Sequence, residues 1–169
     1  MENDAITYRP IGIVHTPYTE AKGTPIQPRF GRGVKGTVEV YPEYAKGLAD
    51  LDGFSHITLV YHLHRSSNYK LKVKPFLDEK ERGVFATRAP RRPNPIGFST
   101  VRLLRVKGRT LHIADLDILD GTPLLDIKPY VPAFEDDQDT QVGWLTDKLG
   151  PDDRPVADER FIKEEEEKS

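Results

Sequence analysis

The chain has 169 residues, of which 37% are hydrophobic, so it can bury one core and is most simply organised as a single domain with a tail. It contains no cysteine, which excludes disulfides, thiolate metal sites and cysteine nucleophiles, and the spacing of its five histidines matches no zinc site. No apolar run could cross a bilayer, and the first residues lack the basic and then apolar pattern of a signal peptide. We therefore expect a soluble, cytoplasmic protein that holds no metal and does not enter a membrane.

The net charge of −2 hides an uneven distribution of charge along the chain. Residues 65–109 carry thirteen Lys and Arg against three acids, whereas residues 111–139 carry eight acids and a single base, Lys128. The basic stretch predicts an anionic partner, most plausibly nucleic acid, although a solvated sheet face would have the same composition. Residues 151–169 carry eight acids and four bases, which predicts an acidic tail, partly disordered or helical, after a domain spanning residues 1–150.

Short runs rich in Val, Ile, Thr, Tyr and Phe alternate with turn residues along the chain. They predict β-strands over 6–15, 34–41, 54–64, 83–87, 99–107, 110–119 and 124–131. The best helix candidate is 42–51, with proline at its first position, and a second short candidate covers 141–149. Long crossover helices and glycine-rich nucleotide loops are absent, so we predict a mainly β fold that is not Rossmann-type. Its form is a small, closed or nearly closed antiparallel barrel with one or two short helices.

Two polar segments follow predicted strands and could carry chemistry. Residues 24–33 form a loop in which glycines flank arginines, a pattern that a plain connector would also show. In residues 61–67, alternation places His62 and His64 on one face of the strand. Two histidines need a third ligand to hold a metal, so hydrogen-bonded histidines are the simpler interpretation.

The segment 86–99 packs prolines and arginines between two apolar runs. Each proline fixes φ and pushes its predecessor toward extended backbone, so the arginines lie on a stiff track that suits anionic ligands. Within it, residues 94–97 partly match the Asn-Pro-Pro-aromatic loop with which amino methyltransferases hold an exocyclic amine. Ile96 and Gly97 stand where the second proline and the aromatic residue would be, so that mechanism is not supported.

Acidic residues cluster around a turn at Asp120 and Gly121. Asp117, Asp120 and Asp126 predict a carboxylate rim that holds a cationic or ribose-bearing ligand, with exposed backbone amides at the turn. A hairpin with solvated acids is the plain alternative, and a divalent metal is a lesser one.

These motifs, residues 85–99, 117–123 and 126–130 together with 53–56, resemble the TrmO (TsaA-like) family of tRNA methyltransferases over about residues 11–134. The resemblance implies a single-sheeted β-barrel that binds S-adenosylmethionine outside any Rossmann fold and works as a homodimer. It also implies methylation of the exocyclic N6 of an adenosine next to the anticodon of tRNA, which in the characterised bacterial members is threonylcarbamoyl-adenosine.

By the same resemblance, the cofactor contacts are Pro25, Ile26, Gln27, His62, Leu63, Arg88, Phe98, Asp117, Asp120, Gly121 and Thr122. Position 63 is Leu where the family often has Gln, and a short acidic tail stands where some relatives carry a separate C-terminal domain. We expect Asp117 and Asp120 to face the ribose or amino group of the cofactor, and Phe98 and Leu63 to wall its adenine.

The remaining roles fall to other polar residues. A general base for the attacking nitrogen would be Asp126, His62 or Tyr130, which the sequence does not rank. Contacts to tRNA are predicted for Arg91, Arg92, Asn94 and Lys128. Two other functions stay open: a non-catalytic RNA-binding barrel, and a small-molecule methyltransferase that uses the same cofactor site.

Overall fold

The computed structural model describes residues 5–135, 139–150 and 152–161, in which strands dominate. The strands are β1 (Gly12–His15), β2 (Lys35–Val40), β3 (His56–His62), β4 (Lys72–Val73), β5 (Arg82–Gly83), β6 (Ile96–Lys107), β7 (Thr110–Ala114) and β8 (Thr122–Pro129). The helices are one α-helical turn, Pro132–Glu135, and the 3₁₀ helices Pro28–Phe30, Pro42–Leu48, Leu51–Gly53, Val84–Ala86 and Gly143–Leu145. In this part of the chain, none of them has the length and apolar character that a membrane span requires.

Six strands close into one antiparallel barrel in the order β1-β2-β7-β6-β3-β8, and β8 pairs back onto β1. Alternate side chains on each strand point into the barrel. On β3 the inward residues Ile57, Leu59 and Tyr61 are buried, and they meet inward residues of β6 such as Val101. The predicted mainly β, antiparallel barrel that is not Rossmann-type is therefore confirmed. Outside the barrel, β4 and β5 form a two-stranded ribbon.

The predicted helix over 42–51 is wrong in type and extent. Residues Pro42–Leu48 and Leu51–Gly53 form two 3₁₀ helices instead. Between them, Asp50 adopts the left-handed conformation at φ 65°, which breaks any continuous helix. The second candidate, over 141–149, shortens to the 3₁₀ turn Gly143–Leu145.

The predicted strand over 83–87 is also wrong. Only Arg82–Gly83 pairs, with Lys72–Val73, and the backbone then turns into the 3₁₀ helix Val84–Ala86. Thr87 closes this turn, because both its backbone N and its Oγ1 donate to the carbonyl of Val84. Residues rich in β propensity adopt a turn here because, among the described residues, no strand pairs with 84–87.

The connection from β7 to β8 positions the acidic residues. Asp115, at φ 66°, turns the chain away from the sheet, and its carboxylate accepts hydrogen bonds from Gly33 N (2.7 Å) and Arg102 Nε (3.1 Å). Leu116 and Ile118 point into the core and are buried. The residue between them, Asp117, is thereby presented at the open end of the barrel.

Residues 152–161 lie along the first long loop of the chain. Pro25 pairs with Val156 in an isolated antiparallel bridge, and hydrogen bonds join Gly23 N to Ala157 O (2.8 Å) and Ala157 N to Thr24 O (2.7 Å). This segment, called the C-terminal strap below, contains no helix. The predicted domain boundary at residue 150 stays a prediction, and residues 162–169 lie outside the described part.

Candidate functional site

A cavity of about 610 Å³ opens at the end of the barrel where β3 ends and β6 begins. Its walls come from five parts of the chain: the first loop, the end of β3, the proline-arginine segment continuing into β6, the β7–β8 connection, and the C-terminal strap. Small-molecule sites commonly have volumes of this size. The barrel core thus serves as a floor on which separate loops converge.

One wall combines an arginine with an aromatic ring. The Arg88 guanidinium lies 4.7 Å from the ring centroid of Phe98, and its Nη1 donates to Gln27 Oε1 at 2.6 Å. The cation above the ring and the hydrogen bond together link the first loop to the proline-arginine segment and the start of β6. Phe98 is 51% exposed, so its ring remains available to a planar ligand.

A chain of three polar side chains forms part of the floor. Ser99 Oγ donates to Asp117 Oδ1 at 2.6 Å, and Tyr61 OH lies 2.8 Å from the same Ser99 oxygen. Burial raises the pKa of Asp117 to about 7, although Ser99 and Arg88 favour its ionised form. The pKa of Tyr61 is raised, mainly by burial and further by Asp117, so this phenol stays neutral.

The two histidines after β3 lie in different environments. β3 ends at His62, and His64 N donates back to His62 O (2.8 Å) in a tight turn that breaks the expected alternation. His62 is exposed and does not line the cavity, whereas Leu63 and His64 do. His64 Nδ1 lies 3.3 Å from Thr122 Oγ1, and burial is the main cause that lowers the pKa of His64, so its ring is neutral at pH 7.

Comparison with known proteins identifies the family. The family model described as tRNA-methyltransferase O N-terminal domain matches residues 13–136. The chain belongs to this family. A "Probable S-adenosyl-L-methionine-binding protein" of Pyrococcus abyssi is 53% identical over 157 residues, covering 93% of this chain and 85% of that protein. A mouse protein named "tRNA (adenine(37)-N6)-methyltransferase" is 34% identical over 84% of this chain.

Solved structures agree with this assignment. The crystal structure of TrmO from Pseudomonas aeruginosa superimposes with a TM-score of 0.71 at 36% sequence identity, over 83% of this chain and 63% of that one. The present chain spans only 35% of the mouse protein. The TrmO N-terminal domain, which includes the barrel, is therefore the part shared among these proteins, and the longer relatives carry further sequence.

Most cofactor contacts predicted for this TrmO-family chain meet at the cavity. The predicted contacts that line the cavity are Pro25, Ile26, Gln27, Leu63, Arg88, Phe98, Asp117 and Thr122. Their role in binding stays a prediction. Their convergence from four segments is what a single ligand site requires.

Three other predicted contacts do not reach this surface: His62, Asp120 and Gly121. The backbone N–H groups of Asp120 and Gly121 donate to Tyr18 O (2.8 Å) and Val14 O (2.9 Å), so the turn does not expose them as expected. Asp120 Oδ1 accepts a hydrogen bond from Thr16 N at 3.1 Å. The turn is therefore anchored to β1 and to the residues that follow it.

Two of the predicted base candidates lie away from the cavity. Asp126 is on β8, where its Oδ2 pairs with Lys128 Nζ at 2.9 Å and its side chain borders a second depression beside Pro42–Leu48. Tyr130 follows β8 and packs edge-on against His56, with ring centroids 6.3 Å apart. Neither residue lines the cavity that holds Arg88 and Phe98.

The arginines predicted to bind tRNA make contacts within the protein. Arg91 is buried, and its Nε donates to Phe161 O at 3.1 Å. Arg92 Nη1 donates to the carbonyls of Val84, Thr87 and Ala89 at 2.7–3.2 Å. Both arginines therefore hold the proline-arginine segment in shape. Asn94, in the same segment, is exposed.

Sequence reasoning assigned no ligand role to several residues that line or support the cavity: Tyr61 and His64 of the polar segment 61–67, Ser99, and the strap residues Ala157, Asp158, Glu159 and Phe161. Ser99 does not itself line the wall but bonds to Asp117. Alternation along β3 and β6 could have placed Tyr61 and Ser99 inward. No local signal in residues 152–161 predicts their pairing with residues 23–26.

Proposed function

We propose that this chain is an S-adenosylmethionine-dependent tRNA methyltransferase that acts on the exocyclic N6 of an adenosine next to the anticodon. Family membership and the names of the archaeal and mouse relatives support the cofactor and the reaction. The observation that carries the proposal is the cavity, where Arg88, Phe98 and Asp117 meet. Its residues offer both signs of charge beside an apolar wall.

The cavity residues fit S-adenosylmethionine chemically. This cofactor has a carboxylate, two cationic groups and an adenosine, so a site needs a cation, an acceptor and a flat apolar surface. Arg88 supplies the cation, Asp117 the acceptor, and Phe98 with Leu63 and Ile26 the surface. When bound there, S-adenosylmethionine supplies a methyl group on a positively charged sulfur that is open to in-line displacement.

The residues of this chain then have distinct tasks. Arg88, fixed by Gln27 and Phe98, orients an anionic group and closes one side of the cavity. Leu63, Ile26 and Ile118 exclude water from the reacting atoms. Alignment of the acceptor nitrogen with the methyl group supplies much of the acceleration in such transfers.

We further propose threonylcarbamoyl-adenosine as the substrate nucleoside. The support is the resemblance of residues 85–99 and 117–130 to bacterial members of the family. A carbamoylated nitrogen is a poor nucleophile until its proton is removed, so this substrate needs a proton acceptor. The predicted tRNA contacts Arg91, Arg92, Asn94 and Lys128 are proposals of the same kind.

A homodimer located in the cytoplasm completes the proposal. Its support is the resemblance of residues 11–134 to the family. Light scattering tests the dimer: the expected mass is twice the chain mass of 19.2 kDa. A particle of single-chain mass at micromolar concentration contradicts it.

Mass spectrometry of nucleosides tests the reaction. Purified protein is incubated with methyl-labelled S-adenosylmethionine and tRNA that either carries or lacks threonylcarbamoyl-adenosine. Label on N6 of the anticodon-adjacent nucleoside supports the proposal, and label only on the modified tRNA supports the finer substrate. Cofactor binding without label in tRNA contradicts a tRNA methyltransferase and favours a small-molecule one. Binding of tRNA without heat on titration of the cofactor favours an RNA-binding barrel.

A further inference from the structure

Asp117 is the one carboxylate of the β7–β8 connection that reaches the cavity while its neighbours bond elsewhere. Asp115 is held by Gly33 and Arg102, and Asp120 by Thr16. Asp117 accepts hydrogen bonds from Ser99 and from its own backbone N–H. We propose that the Asp117 carboxylate is the proton acceptor for the attacking nitrogen of the substrate; this inference rests on the methyltransferase function proposed above.

The direction of the hydrogen bonds prepares Asp117 for this task. An ionised carboxylate only accepts, so the single proton of Ser99 is donated to Asp117 Oδ1. Ser99 Oγ then accepts from the Tyr61 hydroxyl at 2.8 Å. The hydrogen bonds from Tyr61 to Ser99 and from Ser99 to Asp117 orient the carboxylate and use its Oδ1 as an acceptor. Among the described residues, no other residue donates a hydrogen bond to Oδ2. Each carboxylate oxygen has two lone pairs, so Asp117 keeps a position that can take a proton.

The location of Asp117 favours it over the candidates predicted from sequence. Asp126 and Tyr130 lie outside the cavity, and His62 is exposed. Asp117 is bonded to Ser99, which follows Phe98 directly on β6. Asp117 therefore lies in the same cavity as Phe98 and Leu63, the surface proposed for the cofactor.

The charges around Asp117 tune its proton affinity. Burial raises the pKa to about 7, and Arg88 from the proline-arginine segment partly offsets this. The other titratable groups facing it are Tyr61 on β3 and Tyr18 after β1, whose pKa values are both raised by burial and by Asp117. His64 shares the cavity and is neutral at pH 7. A cationic cofactor adds a positive charge, which moves the pKa of Asp117 downward and leaves it ionised near neutral pH.

In the proposed step, the substrate nitrogen forms a bond to the methyl carbon. The carbon–sulfur bond breaks, and its electron pair stays on sulfur, which becomes neutral. The proton leaving the nitrogen moves to Asp117, which becomes a carboxylic acid. This proton is later released to water through the open mouth of the cavity.

Four measurements on Asp117→Asn, Ser99→Ala and the control Asp52→Asn test this role. Asp52 is an exposed acid in Leu51–Gly53, away from the cavity. We expect Asp117→Asn to lower kcat by roughly 100-fold or more, the usual contribution of a general base. Because Asp117 is also the proposed acceptor for the cofactor, calorimetry first gives the dissociation constant of each variant for S-adenosylmethionine, and kcat is then measured at a saturating concentration. The kcat–pH profile of the wild type should fall on the acid side, and Ser99→Ala should move this limb to higher pH.

The fourth measurement needs no turnover. In ligand-free protein labelled with ¹³C at aspartate carboxyl groups, one resonance that is absent from Asp117→Asn should titrate near neutral pH and should move to higher pH in Ser99→Ala. The proposal is overturned by a smaller loss of kcat at saturating cofactor or by an acid limb that persists in Asp117→Asn. A resonance that titrates at the ordinary aspartate pKa overturns it even where a variant fails to fold. A wild type that methylates no tRNA nucleoside contradicts the proposed function itself, and this role with it.

Discussion

Gly97 lies against the ring of Tyr61 so closely that a Cβ atom at position 97 would come within 2.4 Å of Tyr61 Cε2. Real Cβ contacts are essentially never this short. The absence of a side chain at position 97 therefore allows Tyr61 to lie beneath the cavity floor and reach Ser99.

Gly97→Ala should destabilise the protein. The inserted methyl group must displace a buried aromatic ring, and such overpacking commonly costs about 1–3 kcal/mol in the free energy of unfolding. Urea denaturation measures the change. Gly47→Ala is the matched control, because no atom lies within 4 Å of a Cβ at that position. Equal stabilities of the two variants would show that Tyr61 moves aside without cost.

Asp117→Asn should stabilise the ligand-free protein at pH 8 but not at pH 4. The folded pKa of about 7 lies above the ordinary value of 3.8, so the folded state binds the proton more tightly than the unfolded state. The contribution of Asp117 to wild-type stability therefore falls as pH rises from 3.8 to 7, and one pKa unit corresponds to about 1.4 kcal/mol. The neutral amide removes this loss. Thermal unfolding of the wild type and of Asp117→Asn at the two pH values checks this prediction. A melting temperature of Asp117→Asn above that of the wild type at pH 4 but not at pH 8 would contradict it.

Arg88→Ala should weaken binding of S-adenosylmethionine by tenfold or more in calorimetry. The substitution removes both the hydrogen bond to Gln27 and the cation above Phe98, so the first loop and the aromatic wall lose their common anchor. Arg105→Ala, on the exposed part of β6, is the matched control and should bind normally. Arg88→Lys should recover only part of the affinity, because an ammonium lacks the planar fork.

Arg92→Ala should lower the free energy of unfolding by about 1.5–3 kcal/mol, since a charged donor to three backbone carbonyls is lost. Arg105→Ala again serves as the control in urea denaturation. The predicted phosphate contact is tested separately by the salt dependence of tRNA binding. Arg92→Ala should lower its slope, and an unchanged slope would leave Arg92 with its structural role alone.

Arg160→Ala should loosen the C-terminal strap and weaken S-adenosylmethionine binding about three- to tenfold. The Arg160 guanidinium donates to the carbonyl of Pro75, lies 5.4 Å from the Phe76 ring centroid and pairs with Asp158 at 2.7 Å. Without these contacts, ligand binding must also order the strap. Arg154→Ala, an exposed residue of the same segment, should bind as the wild type does. Matching affinities of Arg160→Ala and wild type would exclude the strap from the ligand site.

The sequence predicts those structural features whose causes lie in neighbouring residues, and it misses those that depend on distant parts of the chain. Strand alternation predicts the inward faces of β3 and β6, and Gly108, with φ 59°, lies in the turn between β6 and β7, between the predicted strands 99–107 and 110–119. The 3₁₀ turn at Val84–Ala86 was missed because it follows from the lack of a partner strand. The turn after His62, where Leu63 N donates to Pro95 O, was missed as well.

The candidate site shows the same limit. Motif resemblance places Arg88, Phe98 and Asp117 at a common site, and the structure brings them to one cavity. Alternation could place Ser99 inside the barrel, but only the tertiary structure brings its hydroxyl to Asp117 from 18 positions away. The sequence predicts that residues 152–161 belong to an acidic tail, and it does not predict their pairing, because their partners, residues 23–26, lie near the other end of the sequence.

The pairing of the strap with the first loop also has a consequence for synthesis of the chain. Residues 23–26 are translated early, yet Ala157 and Val156, which complete their backbone pairing, are among the last described residues to be made. The six-stranded barrel is complete in sequence at Pro129, so it can fold while the cavity still lacks one wall. On the ribosome, ligand affinity should therefore appear only after the folded barrel does, once residue 161 has left the exit tunnel.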